Sequence, residues 1–232
     1  PVAQPKPAAI DLDDVQGNIL RGYRVHYARH FALAVGDVAG ARNLVKGLVS
    51  GDEAASPQIT TATHWRDRPA YFLNVGFTWG GLKALGVPDG ILQNFPAAFR
   101  EGPADAKRAK HVGDTDESAP ANWILGNPGG PTDILLSLYA DGHQRETFAQ
   151  ITGMLRKLFS ANGLRELSYH DATAMPGGKV HFGYKDGIAQ PCIAGASDGA
   201  PLDMQPASGA GEFLLGKDYV NQYLGNFIGD LP

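Results

Sequence analysis

A chain of 232 residues with 43% hydrophobic and 19% charged residues has the composition of a folded globular protein, not of a disordered one. Its 20 basic and 24 acidic residues leave a formal net charge of −4, which gives no electrostatic basis for binding nucleic acid or an anionic membrane. No apolar run approaches the ~20 residues a membrane span needs, and the single Cys192 excludes an intrachain disulfide while leaving the redox compartment open.

Residues 1–10, opening Pro1-Val2-Ala3-Gln4-Pro5-Lys6-Pro7, read as a disordered lead. With no initiator Met and no apolar signal segment, they lead us to expect a trimmed or processed terminus, as in an exported protein. Asp11 to Tyr23 reads as an ordered lead-in. Phe31, Leu33 and Val35 then alternate as a half-buried strand does. Asp37 is placed to cap a helix whose Leu44, Val45, Leu48 and Val49 recur at helical spacing. Tyr71, Leu73, Val75 and Phe77 predict a second strand, and Gly80 to Gly86 a short helix with a glycine stop. Residues 87–131 show no periodicity, and a loop of that length points to function or to a binding surface. Ile134 to Tyr139 is a buried-strand run, Phe148, Ile151, Leu155, Leu158 and Phe159 mark an amphipathic helix, and Leu164 to Tyr169 a last strand. The order β-α-β-(α)-loop-β-α-β is the split βαβ pattern. The expected fold is therefore α+β: a ferredoxin-like domain over residues 11–180 with an antiparallel sheet and long loops. The chain stops abruptly at Phe227-Ile228-Gly229-Asp230-Leu231-Pro232, so we expect a chain cut short.

The richest stretch chemically is His181-Phe182-Gly183-Tyr184-Lys185-Asp186-Gly187-Ile188-Ala189-Gln190-Pro191. Here a carboxylate lies between two glycines in an apolar, aromatic run. Glycine permits positive φ and close approach of the backbone to a flat ligand. An acid in such surroundings is a candidate for proton transfer. By spacing alone an ordinary turn serves equally well, because Gly and Asp are turn residues.

Other groups invite plainer readings. His26 and His30 lack a third ligand and precede a strand, which makes them surface or packing histidines. His170-Asp171 has no accompanying nucleophile motif. His181 reads as a strand-end residue, and Asp11-Leu12-Asp13-Asp14 as a solvated or capping acidic run without calcium-loop spacing. Gly126 to Pro131 is followed by no Lys-Ser/Thr, which excludes a phosphate loop. Cys192 reads as a small buried residue. Trp65, Trp79 and Trp123 could relay electrons, but core packing accounts for most such rings.

Several segments taken in order resemble one family. They are Asp14-Val15-Gln16-Gly17-Asn18-Ile19-Leu20, Asn74-Val75-Gly76-Phe77 with Gly81 to Gly86, and Gly113-Asp114 with Ala121-Asn122-Trp123. The run from His181 to Pro191 and Gly211-Glu212-Phe213-Leu214-Leu215-Gly216 complete the set. In order and spacing they are similar to the N-terminal half of the dye-decolorizing peroxidases. The resemblance implies two ferredoxin-like domains with b-type haem held largely against the second. It makes residues 181–232 the distal haem loop and a linker toward that second domain, which this chain does not contain.

By the same resemblance Asp186 is the distal acid–base, and Gly183 and Gly187 frame it. Ile188 and Gln190 follow in the loop and contact the haem or its propionates. The resemblance places the proximal histidine and distal arginine in the absent half, so it assigns no metal ligand here. Hydrogen peroxide and an organic electron donor, a dye or a phenol, are the implied partners, with a second polypeptide or C-terminal fragment to complete the site. Lys217 stands where the family usually has an aromatic. A carboxylate must accept a proton to help split a peroxide, which implies an acidic optimum. The competing expectation is a non-catalytic ferredoxin-like module, or a half-site that pairs with another copy.

Overall fold

The computed structural model describes residues 10–52, 56–185, 191–196 and 207–214. The chain divides into two compact units: residues 1–23, 60–67 and 175–232 form one, and residues 24–59 and 68–174 the other. No helix among the described residues is long and apolar enough to cross a membrane.

In the first unit a single-turn helix, α1 (Gly17–Leu20), follows an isolated bridge between Gln16 and Thr61. Gly17 is buried there, and its N–H donates to the Thr60 carbonyl at 2.8 Å. A Cβ at this position would come within 2.7 Å of the Tyr23 hydroxyl and 2.8 Å of the Thr61 carbonyl. The close approach of the two backbone segments therefore requires glycine. The acidic run before it forms a turn, with Asp13 N–H donating to the Asp11 carboxylate and the Thr63 hydroxyl to that of Asp13.

The second unit contains the sheet. β1 (Tyr27–Val35) leads into α2 (Val38–Ser50), whose first turn is capped by Asp37 accepting from the N–H groups of Ala39 and Gly40. β2 (Phe72–Phe77) leads into α3 (Trp79–Ala84), capped by the Thr78 hydroxyl. The last pair of strands, β3 (Ile134–Ala140) and β4 (Leu164–Thr173), is joined through the long helix α7 (Arg145–Ala161). The strand order is β2-β3-β1-β4 with every neighbour antiparallel. This is the α+β, ferredoxin-like arrangement that the alternating strand and helix patterns predict.

The core lies between one sheet face and α2 and α7. Phe31 and Leu33 of β1, Leu73 of β2 and Ile134, Leu136 and Leu138 of β3 point into it. Leu44 and Leu48 of α2 and Ile151, Leu155 and Phe159 of α7 meet them from the helices. The spacing of four along each helix places these side chains in one stripe. Phe31 and Phe159, both essentially inaccessible, meet edge to face with ring centroids 5.4 Å apart.

Two stretches differ from the sequence reading. β4 runs on to Thr173, because its outer half is exposed and lacks an apolar alternation to announce it. Residues 87–131, expected as loop, hold three short helices, α4 (Asp89–Leu92), α5 (Ala97–Glu101) and α6 (Ala106–Val112), and two 3-10 turns. Helices of four to seven residues are too short to show a periodic stripe. Their ends are set instead by local residues: Pro88, Pro96 and Asp105 before, Gly102 and Gly113 after.

Phe159→Ala removes a ring from the centre of this core, and we expect it to lower unfolding stability by about 3–5 kcal/mol. Chemical denaturation followed by circular dichroism measures this, with exposed Met154→Ala on the same helix as a near-neutral control.

Candidate functional site

The glycine-framed motif begins in the first unit with a small bridged turn. Lys179 and Lys185 form an antiparallel bridge, and the Val180 N–H donates to the Tyr184 carbonyl at 2.8 Å. Inside it the Gly183 N–H donates to the Val180 carbonyl at 2.9 Å. Gly183 has φ +83°, the left-handed region that a residue with a Cβ rarely enters. Among the described residues nothing lies within 4 Å of the position of its missing Cβ, so the backbone angle is what calls for glycine. The turn thereby holds out two aromatic rings: Phe182 is 88% exposed and Tyr184 74%. His181 lies in the turn itself, exposed, just past the bridge where a strand end was expected.

Asp186, Gly187, Ile188 and Gln190 lie outside the described residues. Beyond them Cys192 is half-buried, less enclosed than its small size suggests. Its carbonyl accepts from the Ser208 N–H at 2.7 Å, and the Ala194 N–H donates to the Ser208 carbonyl at 2.9 Å. Ile193, between them, is buried. The Gly211-Glu212-Phe213-Leu214 motif folds as a 3-10 turn over Ala210–Glu212, with Gly211 and Leu214 buried.

In the second unit β4 carries a charged cluster that the order of residues does not announce. Arg29 binds Asp171 through two parallel bonds of 2.6 and 2.7 Å, and Arg156 binds Glu166 through two of 2.8 and 2.9 Å. The two guanidiniums flank Tyr169, at 4.8 and 4.9 Å from its ring centroid. The hydrogen bond from Arg29 holds the Asp171 carboxyl below the usual carboxylate range. Adjacent strand residues face opposite sides, so His170 and Asp171 do not act as a pair. Trp79 and Trp123 each donate the indole N–H to a backbone carbonyl, that of Leu92 at 3.2 Å and of Ser118 at 2.8 Å, as packed rings do.

His30 lies on the opposite sheet face, with Nδ1 2.9 Å from the Ser137 hydroxyl. Burial first, and the nearby His170 second, push its pKa below the ordinary 6.5, with Asp171 opposing. Among the described residues no group of three or more His, Cys, Asp or Glu is arranged to hold a metal ion.

Comparison with known proteins gives a consistent picture. No protein-family model matches the chain. It is similar to a dye-decolorizing peroxidase of Exidia glandulosa, 28% identical over 214 residues that cover 90% of this chain and 39% of that protein. A dye-decolorizing peroxidase of Mycena epipterygia is 30% identical over 217 residues, covering 90% of this chain and 37% of its own length. The crystal structure of a fungal DyP-type peroxidase from Auricularia auricula-judae superposes with a TM-score of 0.69 at 26% identity, over 88% of this chain and 42% of that one. The chain thus spans about two fifths of the length of the relatives it matches.

A lowered histidine pKa means that the unfolded chain takes up its proton first as pH falls. The native state is therefore favoured above the ordinary value of 6.5 and loses that advantage below it. Asp171, held low, keeps its contribution through this window and loses it only in stronger acid. We expect the melting temperature in metal-free buffer to drop between about pH 7 and pH 5, and His30→Gln to flatten that drop. Differential scanning calorimetry across pH measures both slopes.

Proposed function

The chain belongs to the dye-decolorizing peroxidase family, and on that premise we propose that it forms the distal side of a haem peroxidase that reduces hydrogen peroxide and oxidises dyes or phenols. The observation that carries this reading is continuity. The relatives match over about 90% of the chain, and a solved member superposes over 88% of it with a TM-score of 0.69.

The described part of the motif suits a haem. A flat, largely apolar ligand needs exposed rings beside it and backbone that can come close, and Phe182, Tyr184 and Cβ-free Gly183 supply both. On this reading Gly183, Gly187, Ile188 and Gln190 would lie against the cofactor, which when bound supplies the electron chemistry. Asp186 has the proton work. Its carboxylate would take a proton from the inner oxygen of hydrogen peroxide and return it to the outer oxygen, so that this oxygen could leave as water while the bound cofactor would supply the two electrons that break the O–O bond and take the remaining oxygen. The domain reading continues from this: residues 181–232 lead toward a second ferredoxin-like domain. The axial histidine and a charge-stabilising arginine come from family length outside the matched span, on the same chain or on a second polypeptide.

The coverage of about two fifths of each relative favours one other reading, a ferredoxin-like module without catalysis of its own. Haem added to the 232-residue chain distinguishes them in part: a Soret band with peroxide turnover by this chain alone would remove the non-catalytic module. The acid role is tested in protein that includes the remaining family length. There Asp186→Asn should slow oxidation of the haem by peroxide, followed by stopped-flow absorbance, about 10²–10⁴-fold while leaving haem content unchanged. An unaltered rate would sink the assignment of Asp186.

A further inference from the structure

The sheet face turned away from α2 and α7 carries one polar row that crosses all four strands. Asn74 of β2 lies opposite Ser137 of β3, Ser137 opposite His30 of β1, and His30 opposite His170 of β4. Residues directly opposite share a face and bring their Cβ atoms within about 4.5–5.5 Å. The row is enclosed at one end, with Asn74 3% and Ser137 8% exposed, and the Tyr139 ring meets His30 edge-on at 5.7 Å. At the other end two side-chain atoms are shut off from solvent with no hydrogen-bond partner among the described residues: His170 Nε2 and Ser168 Oγ. They belong to residues two apart on β4, hence on the same face.

An enclosed polar atom without a partner pays for desolvation with nothing in return, and such atoms mark the place of a water or an ion. Here the orphaned nitrogen belongs to one of two facing imidazoles. When His30 Nδ1–H donates to Ser137, the lone pair of that ring is on Nε2, the atom free to bind a cation, and the hydroxyl acts as the group that fixes the ligand's tautomer. We propose that His30 and His170 form a two-imidazole site for a borderline divalent cation, zinc or copper(II), with Ser168 Oγ as a neighbouring oxygen donor. Imidazole nitrogen is the donor these ions favour over magnesium or calcium. The site lies wholly within the second unit and needs neither haem nor Asp186.

Copper(II) titrated into the 232-residue chain tests this by paramagnetic resonance and by thermal shift. We expect one equivalent bound with coupling from two imidazole nitrogens and a raised melting temperature. His30→Gln or His170→Gln should abolish that species. Ser137→Ala should weaken binding about 10–100-fold, as loss of an orienting partner does. His143→Gln, outside the row, should change nothing. Failure of the wild-type chain to take up copper or zinc, or uptake that His170→Gln leaves intact, would overturn the proposal and assign the orphaned atoms to a buried water. Should the histidine variants not fold, the wild-type spectrum still decides: coupling from one imidazole nitrogen, or none, overturns it.

Discussion

The central strand β1 sets most of what this molecule can do. It is paired on both sides, with β3 and β4, so each of its residues is committed to one sheet face by the pleat. Phe31 and Leu33 go to the helices and nucleate the core, while His30 and Ala32 go to the other face. A register slip of one residue would exchange those sets. It would bury an imidazole among leucines and set a phenylalanine in the polar row. The hydrophobic demand of the helix face thus fixes the register, and the register in turn aligns Asn74, Ser137, His30 and His170 across four strands. A polar row arises as the geometric complement of an apolar one.

That dependence explains which features were legible in the chain. Phe31, Leu33 and Val35, and Leu73, Val75 and Phe77, alternate because one face of each strand meets the helices, and that local pattern suffices to place the strands. Ile151, Leu155 and Phe159 announce α7 for the same reason at helical period. The pairs that give the sheet its chemistry are invisible to such patterns. Arg29 and Asp171 lie 142 residues apart, and His30 and Ser137 107 apart. Only strand order and register bring them together, and neither is a property of any one segment. The helices of residues 87–131 were hidden differently. Too short for periodicity, they are held by prolines, Asp105 and left-handed glycines, which a reading tuned to apolar spacing takes for loop.

The glycine-framed motif shows the opposite balance. Its local residues were legible, and the structure supplies a reason for one of them: Gly183 takes an angle closed to side chains and so turns Phe182 and Tyr184 outward. By spacing alone the stretch was as good a plain turn as a site. Exposure is what supports the proposed reading: two large rings held to solvent are what a flat apolar ligand would lie against. Gly17 gives the parallel case in the same unit, where glycine serves close packing of backbone against backbone and no ligand is implied. The same residue type in two motifs of one family therefore answers two different physical demands.

Proton transfer and iron ligation make opposite requirements of a protein, and on the proposed reading this chain meets only the first. A carboxylate that must accept a proton at working pH has to stay partly solvated, or burial would keep it protonated. An axial histidine needs the reverse: a rigid element, a fixed tautomer and a dry surround. The second unit does hold a histidine so constrained, His30, but it sits in a sheet row with His170 and belongs to a different unit from the motif. A histidine already oriented by Ser137 and faced by another imidazole is poorly suited to serve a flat macrocycle from the sheet. On the two proposals together, histidine chemistry falls in separate places: the sheet would hold a divalent ion through His30 and His170, while an axial ligand for haem iron would come from family length beyond the matched span.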